Sequence, residues 1–159
     1  MNTLPWLTIL ILVPLFGCII VAGLGAEQKR VARGLTLAFS LVALTGALCL
    51  WKHFDAASGE LQFNERHAWV PSLGIEYRLG VDGLGLLMVL LTAIVTTLSI
   101  MASGSLFDGR ADPALRDHDA QQRVPTNNPS LYYALVLWLQ AGLFGTFTAL
   151  NFFHWFLFW

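Results

Sequence analysis

Four long apolar runs dominate this chain, and none of them contains an acidic residue, a lysine or an arginine. They cover residues 1–26, 34–51, 83–107 and 124–159. A helix that crosses a lipid bilayer needs about 20 predominantly apolar residues, and each run is close to or above that length. Charged residues make up only 12% of the chain, whereas soluble proteins contain about 25%. The sequence therefore predicts an integral membrane protein.

The fourth run is too long for a single helix. We divide it at Asn151, because Asn is unfavourable inside a helix and favoured at its N-cap. The expected fold is an all-α integral membrane protein with four transmembrane helices and the first half of a fifth. The expected helices are about 4–25, 34–52, 83–106, 131–150 and a truncated 152–159, with a polar loop at 108–129.

The last of these helices is short. The stretch 151–159 would rise only about 13 Å, less than half of the roughly 30 Å hydrocarbon layer. We therefore expect residues 1–159 to be the N-terminal part of one longer membrane domain.

Basic residues predict the orientation of the chain in the membrane. Short loops rich in Lys and Arg stay on the cytoplasmic side, so the loop 26–33 is predicted inside. Alternation then places the amino terminus and the segment 52–82 outside and the loop 108–129 inside. A secretory signal is the alternative for the first run, but no basic residue precedes it. The basic residues of the loop 26–33 are Lys29, Arg30 and Arg33.

The segment between the second and third runs predicts a small β-hairpin at about residues 60–82. After Gly74, apolar and polar residues alternate, which places the apolar side chains on one face of a strand. Pro71 and Gly74 suit a turn, because Pro fixes φ and Gly accepts a positive φ. Trp69 and Tyr77 are aromatic residues of the kind found at membrane surfaces. The alternating apolar residues are Ile75, Tyr77, Leu79 and Val81.

Asp82 lies where the N-cap of the third helix is expected, directly before Gly83. A carboxylate there accepts a backbone hydrogen bond and faces the positive end of the helix dipole. A proton-carrying role is the alternative, and capping is favoured because caps are so common at helix starts.

The hairpin sequence also resembles a known family. The string Glu65-Arg66-His67-x-Trp69-x-Pro71-Ser72-Leu73-Gly74-Ile75-x-Tyr77-x-Leu79-Gly80-Val81-Asp82-Gly83 closely resembles the signature of the antiporter-like subunit M of respiratory complex I. Three later strings are similar to the fourth and fifth helices of that family. They are Tyr132-Tyr133-Ala134-Leu135, Gly142-x-x-Gly145-x-Phe147-x-Ala149-Leu150 and Phe156-Leu157-Phe158-Trp159.

This resemblance implies a proton-translocating subunit of NADH-quinone oxidoreductase. Electron transfer from NADH to quinone would occur on partner subunits, so the chain is expected to hold no cofactor and to take no small-molecule substrate other than protons. Its expected partners are the other complex I membrane subunits and the lipid bilayer, and not nucleic acid. The expected location is the bacterial inner (plasma) membrane, with a periplasmic amino terminus.

The resemblance also implies which residues are missing. Family members have about fourteen helices, a buried glutamate directly after the position of Trp159, and lysines on later helices. The fragment alone is therefore expected to be inactive. Asn151 stands where relatives usually have Asp, which puts a carboxylate role there in doubt. The same helices occur in subunits of cation/proton antiporter and membrane-bound hydrogenase complexes, and these remain the alternative.

No catalytic, cofactor-binding or metal-binding residue is predicted in this chain. Cys18 and Cys49 are interpreted as buried small hydrophobic residues. Gln140 either bonds a neighbouring helix or lines a hydrated path. His154 either packs near the outer interface or relays protons. Ala141 and Gly145 permit close helix contact. Hydroxyls on the third run are expected to bond local carbonyls or to pack, and they are Thr92, Thr96, Thr97 and Ser99.

Overall fold

The computed structural model describes residues 5–25, 27–70, 75–107 and 128–158, without the side chains of residues 70, 75 and 104–107. The predicted turn at Pro71–Gly74, nearly all of the loop 108–129 and Trp159 lie outside the described residues.

The described residues form helices with one small antiparallel sheet between the second and the third. This confirms the predicted mostly helical architecture and its β-hairpin. In chain order the elements are α1 (Trp6–Ala22), α2 (Lys29–His53), β1 (Gln62–Val70), β2 (Ile75–Val81), α3 (Gly83–Phe107), α4 (Pro129–Thr148) and α5 (Phe152–Phe158).

Three of the described helices, α2, α3 and α4, are long and apolar enough to cross a membrane. The first helix is apolar but shorter, with 17 residues between Pro5 and Gly23. It ends at Ala22 and not near residue 25, because Gly is unfavourable in a helix interior and common at its end.

Helix α2 begins at Lys29, five residues before the expected start at 34. Lys and Arg are good helix formers, and no Pro separates them from the apolar residues that follow. The three basic residues therefore lie in the first turns of α2 and not in a loop.

The four longer helices run alternately up and down. Helix α1 packs mainly along α4, α2 packs along α3 and α1, and α3 also contacts α4. Glu65 of the hairpin contacts the start of α1, while the Ser130 hydroxyl at the start of α4 donates to Gly25 O just beyond the end of α1. The bundle therefore has a hairpin end and, opposite it, a basic end that carries Lys29 and Arg30.

Two clusters of buried apolar side chains fill the bundle. The hairpin-end core includes Leu7, Leu50, Leu79, Val81, Leu86 and Phe144. The basic-end core includes Cys18, Val21, Ala32, Ile100, Tyr133 and Leu137. Because Leu79 and Val81 belong to the first cluster, the hairpin is anchored in the bundle and does not project freely from it.

The hairpin is irregular on its first strand. Cα partners run from Gln62 opposite Val81 to Val70 opposite Ile75, with register shifts between Gln62 and Glu65 and between Ala68 and Val70. Phe63 has a φ of 54°, which is rare for a residue with a side chain. The first shift places one extra residue on β1 between Gln62 and Glu65.

The segment after α4 joins the hairpin. Leu79 forms an isolated antiparallel bridge with Ala149, and the Leu150 N–H donates to Arg78 O at 3.1 Å. The hairpin therefore contacts the connection between α4 and α5 as well as the start of α1.

Helix α5 packs back against α4 at a glycine. A Cβ atom added to Gly145 would overlap the ring of Phe158. This confirms the close helix contact expected of Gly145.

Candidate functional site

Three polar side chains form a chain of hydrogen bonds at the hairpin end. The Thr8 hydroxyl donates to Glu65 Oε2, and the oxygen atoms of Thr8 and Tyr77 lie 3.0 Å apart. Because the Thr8 proton is already directed to Glu65, the Tyr77 hydroxyl must be the donor in the second bond. The Tyr77 proton is therefore directed to Thr8, and the Thr8 proton to the Glu65 carboxylate.

The same carboxylate caps helix α1. Pro5 at the N-cap position makes no side-chain capping bond. Instead, Glu65 Oε1 accepts from the Leu7 N–H at 2.7 Å and Oε2 accepts from the Thr8 N–H at 3.2 Å. These N–H groups have no acceptor within a helix, and a negative charge at this end is favoured by the helix dipole. Glu65 on β1 thus caps a helix whose first turn lies 57 or 58 residues earlier in the sequence.

Tyr77 is held as a neutral donor. Burial is the largest cause that raises the pKa of Tyr77 above its ordinary value of 10.0. The phenol therefore keeps its proton at neutral pH and can donate it to Thr8.

His154 lies under the hairpin. It is fully buried, and its ring centroid is 4.9 Å from that of Tyr77 and 5.1 Å from that of Trp69. Neither ring nitrogen has a hydrogen-bond partner among the described residues. Of its two predicted roles, the contacts correspond to packing, while a proton relay stays a prediction.

An open cleft of about 380 Å³ lies between the hairpin and α5. One side is formed by the hairpin, where His67 is exposed, and the other by α5. The cleft is lined by His67, Ala68, Trp69, Tyr77, His154, Leu157 and Phe158. It gives Tyr77 contact with a space that opens to the outside of the molecule.

Both caps expected from the sequence are present. Asp82 Oδ1 accepts from the Gly85 N–H at 2.6 Å, as an N-cap of α3 should. Asn151 Oδ1 accepts from the Phe153 N–H at 3.2 Å, and its amide donates to Glu76 O at the same distance. Asn151 therefore starts α5 and also ties it to β2.

An ion pair lies on the outer face of the hairpin. The Arg66 guanidinium donates two bonds to the Glu76 carboxylate, at 2.7 and 2.6 Å. The hydrogen bond from Arg66 holds the pKa of Glu76 below its ordinary value of 4.5. The pair connects the two strands without touching the bundle core.

This ion pair predicts an acid-sensitive contribution to hairpin stability. A carboxyl group with a lowered folded pKa stabilises the folded state above its unfolded pKa, and this is lost as the pH falls through the folded pKa. We expect the ¹³C NMR titration of the Glu76 carboxyl to have its midpoint below 4.5. Arg66→Gln should move this midpoint upwards; an unchanged midpoint would show that the pair does not form in solution.

Gln140 is fully buried in the middle of α4. Neither its Oε1 nor its Nε2 has a hydrogen-bond partner among the described residues, so the predicted bond to a neighbouring helix is not made there. An unsatisfied buried polar group costs about 1–3 kcal/mol. The other predicted role of Gln140, lining a hydrated path, stays a prediction.

Three of the four hydroxyls named on α3 behave as expected. Thr92, Thr96 and Thr97 each donate to the carbonyl four residues earlier, at 2.7–2.8 Å. Thr97 also lies 2.7 Å from the Ser40 hydroxyl of α2, which joins two helices. Ser99 is exposed.

The two cysteines differ. Cys18 is buried, as expected, whereas Cys49 is exposed on α2, so its predicted burial is wrong. Its place in an apolar run reflects the apolar surface of α2, since membrane helices carry apolar residues on their outer faces as well.

Sequence comparisons place the chain among quinone oxidoreductase subunits. No family model matches it. It is 33% identical to NAD(P)H-quinone oxidoreductase chain 4 of Chara vulgaris chloroplasts, covering 100% of this chain and 29% of that protein. It is 30% identical to NADH-quinone oxidoreductase subunit M of Mycobacterium tuberculosis, covering 95% and 29%. It is 31% identical to F(420)H(2) dehydrogenase subunit M of Methanosarcina mazei, covering 98% and 28%.

These similarities extend over essentially the whole chain, including the hairpin string that suggested the family. The chain itself spans less than a third of the length of these curated relatives. Over the part that it covers, the chain is a homologue of NADH-quinone oxidoreductase subunit M and chain 4 proteins.

Proposed function

We propose that this chain is part of a proton-translocating membrane subunit of an NADH-quinone oxidoreductase. Electron transfer from NADH to quinone takes place on partner subunits and is coupled to proton movement through the membrane domain. The observation that carries this proposal is the 30–33% identity to subunit M and chain 4 proteins along nearly the whole chain.

In this proposal α1 also crosses the membrane, in addition to the three candidate spans α2, α3 and α4. Its 17 residues would rise about 25 Å at 1.5 Å per residue, close to the hydrocarbon thickness of about 30 Å. It packs along α4, one of the three candidate spans. Its start lies beside the hairpin and its end beside Ser130. A helix held in this way passes through the same layer as its neighbours.

A tag on this protein in its native membrane tests membership of the complex. We expect the tagged protein to purify with the other complex I membrane subunits and with NADH-quinone reductase activity. Purification with a cation antiporter or a hydrogenase would support the alternative instead. That alternative is not favoured, because the relatives named above belong to quinone oxidoreductases and to an F(420)H(2) dehydrogenase.

We further propose a bacterial inner membrane location with the hairpin end outside. Ala57 is exposed beside the hairpin and Glu27 is exposed at the basic end. In a variant without Cys18 and Cys49, Ala57→Cys should react with an impermeant maleimide in intact cells. The matched variant Glu27→Cys should react only after the membrane is opened, since it lies beside the basic residues expected inside. The reverse pattern would invert the topology.

The chain on its own is not expected to move protons. A pH gradient is imposed without a protonophore. Proteoliposomes that contain only residues 1–159 should then show no more proton flux than empty liposomes. Measurable saturable flux would show that this bundle holds a complete path.

A further inference from the structure

We propose that Glu65 is a proton-binding site at the hairpin end, filled from the cleft through Tyr77 and Thr8. This inference rests on the proposed proton-translocating function and adds three residues to it. None of the three is explained fully by packing, because each contributes a polar atom to one connected chain.

The direction of the hydrogen bonds supports this assignment. Thr8 directs its proton to Glu65, and Tyr77 directs its proton to Thr8. A proton can therefore pass along the chain by short transfers between atoms that are already in contact. Of the three side chains, the carboxylate of Glu65 is the one that accepts hydrogen bonds without a proton of its own to pass on, so the chain ends at Glu65.

The cleft supplies the other end of the chain. Tyr77 lines the cleft together with His67, its cross-strand partner, which is exposed. The two ring centroids are 6.4 Å apart. His154 is the further titratable group that lines the cleft. The ring nitrogens of an imidazole can accept and donate a proton, which suits His67 to passing a proton into the cleft.

Each transfer balances in atoms and charge. The Thr8 O–H bond breaks as an O–H bond forms on Glu65. Thr8 regains a proton from the Tyr77 hydroxyl, and Tyr77 regains one from a hydronium ion or the protonated ring of His67 in the cleft, which becomes water or neutral imidazole. No electron moves, and one proton enters the cleft for each proton that Glu65 gains.

Capping of α1 is the competing explanation for Glu65, and the two roles can be separated. Tyr77→Phe removes only the hydroxyl, so both backbone bonds from α1 to Glu65 remain. Thr8→Val breaks the link between Tyr77 and Glu65. Glu65→Gln keeps an acceptor for the cap but cannot become a neutral acid. Glu60→Gln, in the exposed turn before β1, is the matched control.

The test uses the purified complex that contains this chain, reconstituted into liposomes. At a fixed rate of NADH oxidation, the rate of proton movement should fall about a hundredfold in Tyr77→Phe, the lower end of the effect of losing a proton-transfer group. Amide hydrogen exchange at Leu7 and Thr8 should stay slow in the same variant, which shows that the cap is intact. The control should match the unaltered complex.

Unaltered proton movement in Tyr77→Phe and Thr8→Val, with the cap intact, would overturn this proposal and leave Glu65 as a cap. A complex that oxidises NADH without moving protons, even with no substitution, would overturn the proposed function instead. An infrared carboxylic acid band that appears during turnover and is lost in Glu65→Gln would support the proposal directly. Its absence in the unaltered complex would count against it.

Discussion

Replacing Gly145 by alanine is expected to displace α5 from α4. The added Cβ would overlap the ring of Phe158 near its attachment to the backbone, so a small rotation of the ring does not relieve the clash. Overpacking of this kind costs about 1–3 kcal/mol. Most other side chains of α5 are exposed, so the buried His154 and the bond from Asn151 to Glu76 are what remains to hold the helix. The measurement is hydrogen exchange of the α5 amides in a lipid bilayer, which should become faster.

A matched glycine provides the control. Gly34 lies on α2, and an added Cβ there would meet no atom within 4 Å, so Gly34→Ala should leave exchange in α5 unchanged. The double variant Gly145→Ala with Phe158→Ala should recover part of the protection, since the clashing ring is gone. If the α5 amides exchange as slowly in Gly145→Ala as in the native protein, the described packing of α5 on α4 is wrong.

Replacing Glu65 by alanine is expected to loosen the first turn of α1. The Leu7 and Thr8 N–H groups would lose their acceptor, and loss of a capping side chain costs about 0.5–2 kcal/mol. Exchange of these two amides should become faster by the corresponding factor, about 2–30. Glu65→Gln should give a smaller change, because it keeps an acceptor but loses the favourable charge at the helix dipole.

The exposed Glu60 serves as the reference for charge removal, and Glu60→Ala should leave α1 unaffected. Equal exchange at Leu7 and Thr8 in Glu65→Ala and in the native chain would show that the hairpin does not cap α1. This experiment in the isolated chain needs no partner subunit.

Local signals in the sequence were sufficient for several features. Asp82 and Asn151 were predicted as cap positions because caps depend on one residue and the helix directly after it, and both cap the expected helix. The alternation from Ile75 to Val81 predicted β2. The apolar runs predicted the helices that fill the bundle.

Contacts between distant residues could not be predicted in the same way. The bond from Glu65 to α1 joins residues more than fifty positions apart, and nothing near Glu65 in sequence indicates its partner. The bulge near Phe63 was missed because alternation alone does not reveal an extra residue. The cleft beside Tyr77 depends on the position of α5, which is set by Gly145 and Asn151 together.

Gln140 shows a further limit of sequence-based interpretation. A glutamine in an apolar helix indicates a polar partner nearby, yet the described residues provide none.

The most direct test of the central claim is proton movement in the purified complex that contains this chain. The complex is reconstituted into liposomes with a pH-sensitive dye inside, and NADH and a water-soluble quinone are added outside. We predict that NADH oxidation changes the internal pH and that a protonophore abolishes this change. NADH oxidation with no pH change, or a purified complex with no NADH-quinone reductase activity, would contradict the proposed function.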